Sequence, residues 1–327
     1  MGQRIVVLDG KTLNPGDNPW TLLEELGDVV LFKDSEPSDV VSRLGKAEIA
    51  VVNKVRLAGQ VLDELPELRF ITITATGFDC VDITAARKKD IPVSNVPTYG
   101  TDSVAQYAFA LMLELSHHIG LHDQAVRNGE WESCGSFSFW KTPQVELSGR
   151  TLGIIGFGRI GRRVGEIGNA LGMRILACDQ FQQNPPTYES FAWATAEEVA
   201  SESDVVTLHC NLTDESGGMI NRDFLGRMKP TAFLINCARG QLVDEAALAD
   251  ALNTNALAGA ALDVVSTEPI RSDNPMLSAK NCLLTPHMAW STLAARQRMM
   301  ATTAENIRAF LAGSPVNVVN GPVHHST

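Results

Sequence analysis

Short β-branched runs that alternate with amphipathic segments constrain the fold of this chain more than any other feature of its sequence. One series occupies residues 4–96, and a second begins at residue 151. Alternating strands and helices predict a parallel sheet with helices on both faces. We therefore predict an α/β protein of two doubly wound, parallel-sheet domains. The predicted strands are 4–9, 28–32, 48–53, 69–76, 91–96, 151–157, 174–179, 205–210, 232–237, 260–265 and 282–286.

Two long helical patterns, at 101–119 and 293–313, join the predicted domains. We expect the second of these helices to return to the first domain, which makes that domain discontinuous. The first domain then comprises residues 1–100 plus 291–327, and the second comprises residues 101–290.

Charge and cysteine content exclude several classes of function. The formal net charge of -11 disfavours nucleic acid and anionic membranes as partners. No apolar run approaches the ~20 residues that cross a bilayer, and the first residues lack a signal-like region. The six cysteines have no metal-ligand spacing, so we predict reduced thiols, a cytoplasmic protein and no metal site. We interpret His324 and His325 as frayed chain rather than metal ligands.

A glycine-rich turn follows the strand that begins at Thr151 and has the sequence Gly156-Phe157-Gly158-Arg159-Ile160-Gly161. Gly156 allows the tight turn, Gly158 lets the backbone approach a pyrophosphate, and Gly161 lets the next helix pack closely on the strand. The N-terminus of that helix favours a bound anion because its N–H groups are unpaired. The strand before the turn and the helical run after it predict a Rossmann dinucleotide site.

An acidic residue ends the next strand, at the position that selects the dinucleotide. Asp179 lies 18 residues after Gly161 and would accept hydrogen bonds from the adenosine ribose hydroxyls. It would also repel a 2′-phosphate, and residues 180–182 contain no arginine to bind one. The predicted cofactor is therefore NAD(H) rather than NADP(H).

Three reactive side chains, Arg239, Glu268 and His287, follow strands of the second series. Ligands of open parallel sheets bind at the carboxyl ends of the strands. Arg239 can bind a carboxylate through two parallel N–H donors, and His287 can exchange a proton near neutral pH. Glu268 can orient the imidazole and favour its protonated form. Each residue alone has a structural explanation, but together they predict the interconversion of a small 2-oxo acid and its 2-hydroxy acid.

The contexts of these residues resemble the D-isomer-specific 2-hydroxyacid dehydrogenases over nearly the whole chain. The matching segments are Leu152–Gly161, Asn236–Gly240, Leu242–Asp244, Asp263–Pro269 and Thr285–His287. The resemblance implies a flavodoxin-like substrate-binding domain and a Rossmann NAD-binding domain, in the order of the two domains above. It also implies that Arg239 binds substrate, that His287 is the acid/base, and that Glu268 is its partner.

The resemblance implies further contacts with cofactor and substrate. The backbone of Thr76 and Gly77 would hold the substrate carboxylate, although a strand ending in a tight turn has the same pattern. Asn53 and Lys54 are either selectivity residues or part of a solvated loop. The implied cofactor residues are Gly156, Gly158, Arg159, Ile160, Gly161, Asp179, Cys210, Cys237, Ala238, Asp263, which would meet the nicotinamide carboxamide, and Val104.

Residues 96–106, 137–140, 281–282 and 286–290 resemble the glycerate dehydrogenase group of this family. That resemblance implies NADH-dependent reduction of hydroxypyruvate to D-glycerate, with glyoxylate as a second substrate. The alternatives are a phosphoglycerate dehydrogenase or a lactate-type or broad 2-oxo-acid reductase. An alternative from another class is an NAD-sensing binding protein, like the corepressors of the family.

A polar, aromatic stretch at residues 127–149, within the arm 121–150, has no sustained period and is too long for a simple connection in a compact domain. Its aromatic residues include Trp131, Phe137, Phe139 and Trp140. The resemblance implies that this arm builds a homodimer across a two-fold axis. Packing within one chain is the alternative.

Overall fold

The computed structural model describes residues 3–321, so the interpretation of His324 and His325 lies outside the described residues. The described chain forms two compact units, one of residues 3–100 and 291–321 and the other of residues 101–290. Each unit contains one parallel sheet and several helices, which confirms the predicted α/β class.

Within the described part of the chain, no helix combines the length and the apolar character that a membrane span requires.

The first unit is built on a five-stranded parallel sheet. Its elements are β1 (Gln3–Val7), α1 (Thr21–Glu24), β2 (Gly27–Leu31), a 3-10 helix (Pro37–Asp39), α2 (Val40–Leu44), β3 (Ile49–Val52), α3 (Gly59–Asp63), β4 (Phe70–Ile73), α4 (Ile83–Lys88), β5 (Val93–Ser94) and α12 (Leu293–Leu311). The strand order β2-β1-β3-β4-β5 is the flavodoxin-like order. Strands β3 and β4 are buried at every position, as expected of central parallel strands covered on both faces.

The closing helix α12 packs against the sheet of the first unit. Phe310 on α12 stacks on Phe70 of β4, with ring centroids 4.5 Å apart. Near the other end of the helix, the buried guanidinium of Arg296 makes two hydrogen bonds to the carboxylate of Asp17, at 2.5 and 2.7 Å. The helix therefore completes the first unit although it follows the second unit in the sequence.

The second unit is built on a seven-stranded parallel sheet. Its elements are α5 (Thr101–His117), α6 (Ile119–Arg127), α7 (Glu130–Ser133), β6 (Thr151–Ile155), α8 (Arg159–Ala170), β7 (Arg174–Cys178), β8 (Phe191–Trp193), α9 (Ala196–Glu202), β9 (Val205–Leu208), α10 (Arg222–Arg227), β10 (Phe233–Asn236), a 3-10 helix (Gly240–Leu242), α11 (Glu245–Asn253), β11 (Gly259–Leu262), a 3-10 helix (Pro275–Ser278) and β12 (Cys282–Leu284). The strand order β12-β11-β10-β9-β6-β7-β8 is the Rossmann order with a seventh strand at one edge.

Two parts of the second unit differ from the expectation. Strand β8 was not predicted, because it is short and only partly buried. Its Phe191 and Trp193 pack on Phe157, with ring centroids 5.2 and 5.4 Å apart, so an aromatic cluster and the pairing with β7 hold a strand that has no periodic pattern. The second difference is the segment 127–149, which includes α7 although no helical period is predicted there.

Candidate active site

Packing within the chain requires glycine at two positions in the turn after β6. Gly156 has a φ of 91°, and a Cβ on it would lie 2.3 Å from the backbone nitrogen of Cys210. A Cβ on Gly161 would lie 2.1 Å from the carbonyl oxygen of Gly156. Both distances are far below van der Waals contact, so any larger residue forces the backbone apart. The turn brings the start of α8 tightly against the end of β6.

Gly158, in contrast, is not required by packing within the chain. Apart from its chain neighbours, no atom of the described residues lies within 4 Å of a Cβ added at this position. Gly158 is also the residue that caps α8, whose first turn contains no acidic side chain. A glycine with open space beside it at a helix N-terminus fits the close approach of a pyrophosphate. These features are those that a bound dinucleotide needs.

The carboxylate of Asp179 ties the end of β7 to this turn. It accepts hydrogen bonds from the backbone N–H of Phe157 at 2.6 Å and of Phe181 at 2.8 Å. Arg162 on α8 donates to the carbonyl oxygens of Gln183 and Asn184, so the loop after Asp179 is also fastened from the helix. Asp179 therefore has a structural role beside the predicted one toward the adenosine ribose.

Arg239 lies in a compact turn directly after β10. The side chain of Asn236 accepts from the backbone N–H of Ala238 and donates to the carbonyl of Arg239, both at 2.9 Å. A Cβ on Gly240 would lie 1.9 Å from the carbonyl carbon of Val265, so this turn touches the backbone of the segment after β11. The turn thus holds Arg239 beside the segment that contains Glu268.

Glu268 and His287 form a hydrogen-bonded pair. His287 Nδ1 lies 2.6 Å from Glu268 Oε2, and the two side chains are 28% and 35% exposed. His287 has a φ of 53°, an unusual backbone conformation for a residue with a side chain. Its N–H donates to the carbonyl of Asp263, and its own carbonyl accepts from Trp290 Nε1. Because Nδ1 is paired with Glu268, Nε2 is the ring nitrogen that can exchange a proton with a substrate.

A buried carboxylate fixes the backbone around His287. Asp263 is 1% exposed, and its oxygens accept from the hydroxyl of Thr285 at 2.6 Å and from the N–H groups of Met288 and Ala289 at 2.9 and 2.8 Å. The structure thus places this carboxylate against the histidine segment. Its predicted contact with the nicotinamide carboxamide stays a prediction.

The structure brings the three predicted catalytic residues to neighbouring strand ends. Arg239 follows β10, Glu268 follows β11 and His287 follows β12, and these strands are adjacent in the order β12-β11-β10. Sequence reasoning missed the side chains that fix their loops, Asn236 among them. The motif around Arg239 contains Asn236, but nothing in the sequence indicates which backbone groups its amide meets.

The other predicted cofactor residues lie around the same sheet edge or on α5. Val104 is buried on α5, and Ala238 lies in the turn before Arg239. Cys210 follows β9, and burial raises the pKa of its thiol to about 11. Burial likewise raises the pKa of the Cys237 thiol, so both cysteines are protonated at neutral pH. They can line a cleft but are poor nucleophiles.

The residues predicted in the first unit follow β3 and β4. The Thr76 hydroxyl donates to the carbonyl of Val96, and Asn95 donates to the carbonyl of Thr76. The buried amide of Asn53 donates to the carbonyl of Thr74, which is a structural contact. Lys54 has an exposed side chain. The roles of Thr76, Gly77 and Lys54 toward a substrate stay predictions.

No group of three or more His, Cys, Asp or Glu side chains within residues 3–321 is arranged to hold a metal ion.

Comparison with known proteins agrees with this geometry. Residues 109–289 match the family model of the D-isomer specific 2-hydroxyacid dehydrogenase, NAD binding domain. The chain is 46% identical to hydroxypyruvate reductase of Blautia hydrogenotrophica, over 97% of this chain and 99% of that protein. It is 37% identical to glycerate dehydrogenase of Methylorubrum extorquens, over 98% and 99%.

A solved structure is similar over the full length. The D-lactate dehydrogenase of Aquifex aeolicus, complexed with NAD and lactic acid, has a TM-score of 0.82 and 29% identity, covering 98% of this chain and 100% of that one. The dinucleotide turn, the Glu268–His287 pair beside Arg239 and these similarities lead to one assignment. The chain belongs to the D-isomer-specific 2-hydroxyacid dehydrogenase family and is an NAD-binding oxidoreductase.

Proposed function

We propose that this protein reduces hydroxypyruvate to D-glycerate with NADH, and reduces glyoxylate to glycolate as a second reaction. The reaction class, reduction of a 2-oxo acid to a 2-hydroxy acid, follows from family membership. The choice of hydroxypyruvate is supported by the names of the two relatives that align over nearly their whole length. The second unit would bind NAD(H) and the first unit would bind the substrate.

The observation that carries this proposal is the 2.6 Å contact between His287 Nδ1 and Glu268 Oε2, beside the turn that holds Arg239. The Glu268 carboxylate pairs with Nδ1 and fixes the orientation of the imidazole. His287 then donates the proton on Nε2 to the carbonyl oxygen of the substrate as that oxygen gains negative charge.

Arg239 supplies the positive charge that the reaction needs. Its guanidinium would bind the substrate carboxylate and polarise the adjacent carbonyl group. An acidic protein repels an anionic substrate at long range, so this local cation is important. Bound NADH supplies the hydride, and the proton from His287 completes the hydroxyl group of the product.

A substrate panel tests the proposal. We expect NADH oxidation to have its highest kcat/KM with hydroxypyruvate, a lower value with glyoxylate, and small values with pyruvate, 2-oxoglutarate and phosphohydroxypyruvate. A higher kcat/KM with phosphohydroxypyruvate or pyruvate would show that hydroxypyruvate is not the preferred substrate. Turnover of none of these acids, with NADH still bound, would favour an NAD-sensing binding protein.

Asp179 is the proposed determinant of coenzyme choice. Replacing it with Ala removes the charge that repels a 2′-phosphate, so the ratio of kcat/KM for NADH over NADPH should fall by at least about tenfold. Because Asp179 also holds Phe157 and Phe181, the substitution Asp179→Asn serves as the control that keeps one acceptor oxygen. An unchanged coenzyme ratio in both variants would remove Asp179 from this role.

We also propose a homodimer formed through residues 121–150 and a cytoplasmic location. Three aromatic side chains of the arm, Trp131, Phe137 and Trp140, are 49%, 91% and 70% exposed in the single chain. Exposed aromatic surface of this kind is typical of subunit interfaces. Sedimentation at micromolar concentration should give a dimer, and a monomer would contradict the proposal.

The proposed cytoplasmic location is supported by the cysteines. All six are free thiols, which supports a reducing compartment.

A further inference from the structure

The segment that contains Glu268 has no regular secondary structure. It runs from the end of β11 at Leu262 to the 3-10 helix that begins at Pro275. Glu268 reaches His287 from the middle of this segment, and both side chains are partly exposed. Contacts with residues outside the segment must therefore fix the position of Glu268, because a displacement of about 1 Å at a catalytic pair costs up to about 100-fold in rate.

One carboxylate from the start of α11 fastens the segment on both sides of Glu268. Glu245 Oε1 accepts from the backbone N–H of Ser266 at 2.6 Å, and Oε2 accepts from the hydroxyl of Ser266 at 2.7 Å. The same Oε2 accepts from the side-chain amide of Asn274 at 2.9 Å. Ser266 precedes Glu268 by two residues, and Asn274 follows it by six. A single side chain thus closes the segment into a loop around Glu268.

The same loop is pressed against the turn that holds Arg239. Gln241 donates to the carbonyl of Ser266 at 2.9 Å, and Gly240 touches the backbone of Val265. Val265 in turn donates its N–H to the oxygen of Glu268 that does not face His287, at 3.4 Å. Contacts at residues 265 and 266 therefore connect Glu245 with the carboxylate of Glu268.

We propose that Glu245 is a positioning residue of the reductase reaction, which holds Glu268 in register with His287 Nδ1. This inference rests on the proposed function. Glu245 acts through the Ser266–Asn274 loop, and its three acceptor contacts are all made to that loop. Without them Glu268 loses its fixed place, so the imidazole of His287 loses the acceptor that orients it. Substrate binding by Arg239 should change less, because the Asn236 contacts that shape its turn do not involve Glu245.

The test is the steady-state kinetics of hydroxypyruvate reduction by the full-length variant Glu245→Ala, with kcat expressed per NADH-binding site. We expect kcat to fall about 10- to 100-fold with KM changed less than about threefold. Counting only the sites that bind NADH removes the contribution of unfolded protein to the loss. Glu245→Gln keeps one acceptor for Ser266 N–H and should recover part of the lost kcat.

Glu198→Ala is the matched control. Glu198 also lies in the first turn of a helix of the second unit, but its side chain accepts from the N–H of Thr195, the cap of its own helix. It should lose stability without lowering kcat per NADH-binding site. If Glu245→Ala does not fold, Ser266→Ala removes one of the three contacts and should also lower kcat.

A wild-type kcat in Glu245→Ala, or in both Glu245→Gln and Ser266→Ala, would overturn the positioning role. So would a loss of kcat of the same size in Glu198→Ala. These outcomes are distinct from failure of the proposed function, in which the wild-type protein itself would not reduce hydroxypyruvate.

Discussion

The turn after β6 and the segments after β11 and β12 both border the candidate site, but they are held by different kinds of contact. The turn is shaped by glycines whose missing side chains let Gly156, Gly161 and Cys210 approach each other. The segments that contain Glu268 and His287 are shaped by the carboxylates of Glu245 and Asp263, which accept backbone N–H groups.

The turn after β6 is the first region, and the segments after β11 and β12 are the second region. The two regions therefore respond differently to substitution. Steric requirements at a glycine are local, and they recur at a fixed spacing in the sequence. A carboxylate that accepts from a distant loop can be replaced in principle by any acceptor that reaches the same groups. The first region therefore has a recognisable sequence, whereas the second depends on the surrounding fold.

The largest effect is expected at the reactive end of the second region. His287→Ala removes the proton donor and should lower kcat for hydroxypyruvate by about 10²- to 10⁴-fold. His117→Ala is the control, because His117 ends α5 and its ring contacts Gln144. Steady-state kinetics with NADH measures both variants. Near-normal activity in His287→Ala would contradict the mechanism.

The glycines of the first region separate packing from cofactor binding. Gly161→Ala places a Cβ against the carbonyl of Gly156 and should lower the free energy of unfolding by about 1–3 kcal/mol. Gly158→Ala meets no such contact and should unfold like the wild type, yet bind NADH at least about tenfold more weakly. Denaturant unfolding and fluorescence titration with NADH measure the two effects. A wild-type affinity for NADH in Gly158→Ala would show that the pyrophosphate does not approach this residue closely.

The acceptors of the second region are tested at Asp263. Asp263→Asn turns one acceptor oxygen into a donor that faces the N–H of Met288 or Ala289. We expect a loss of about 1–2 kcal/mol in the free energy of unfolding, because a buried donor is left unpaired. Asp250→Asn, which breaks an exposed ion pair with Arg222, should lose less than about 1 kcal/mol. Equal losses in the two variants would mean that the buried contacts contribute no more than a surface pair.

The smallest effect at neutral pH concerns His209, which follows β9 next to the turn of the first region and affects stability only at lower pH. Its Nδ1 is buried and has no hydrogen-bond partner among residues 3–321, and burial lowers its pKa from 6.5 to about 3. Between these values the unfolded chain binds a proton that the folded chain does not. The contribution of neutral His209 to the free energy of unfolding is therefore complete above pH 6.5 and is lost as the pH falls toward 3.

Urea unfolding at several pH values measures this effect. Below pH 6 the wild-type free energy of unfolding should fall by about 1 kcal/mol per pH unit more than that of His209→Asn. Parallel pH dependences in the two proteins would show that His209 does not remain neutral in the folded state.

Most strands were predictable because their signal is local. Runs such as Ile49–Val52 and Phe233–Asn236 are apolar at nearly every position, and buried parallel strands require this. Strand β8 was missed because its three residues have no periodic pattern, and it is held by pairing with β7 and by ring contacts with Phe157, a residue 34 positions before Phe191. The short helix α7 was missed because all four of its residues are at least partly exposed, so it has no apolar period.

The sequence by itself determined the fold class, the dinucleotide turn and the strand ends that carry Arg239, Glu268 and His287. It could do so because strand periodicity, glycine spacing and the carboxyl ends of parallel strands are properties of short segments. Only the tertiary structure decided that Glu268 and His287 meet at 2.6 Å, and that Glu245 and Asp263 hold their loops. Glu245 and Ser266 are 21 residues apart, and hydrogen bonds across such a separation depend on how β10, β11 and α11 pack together.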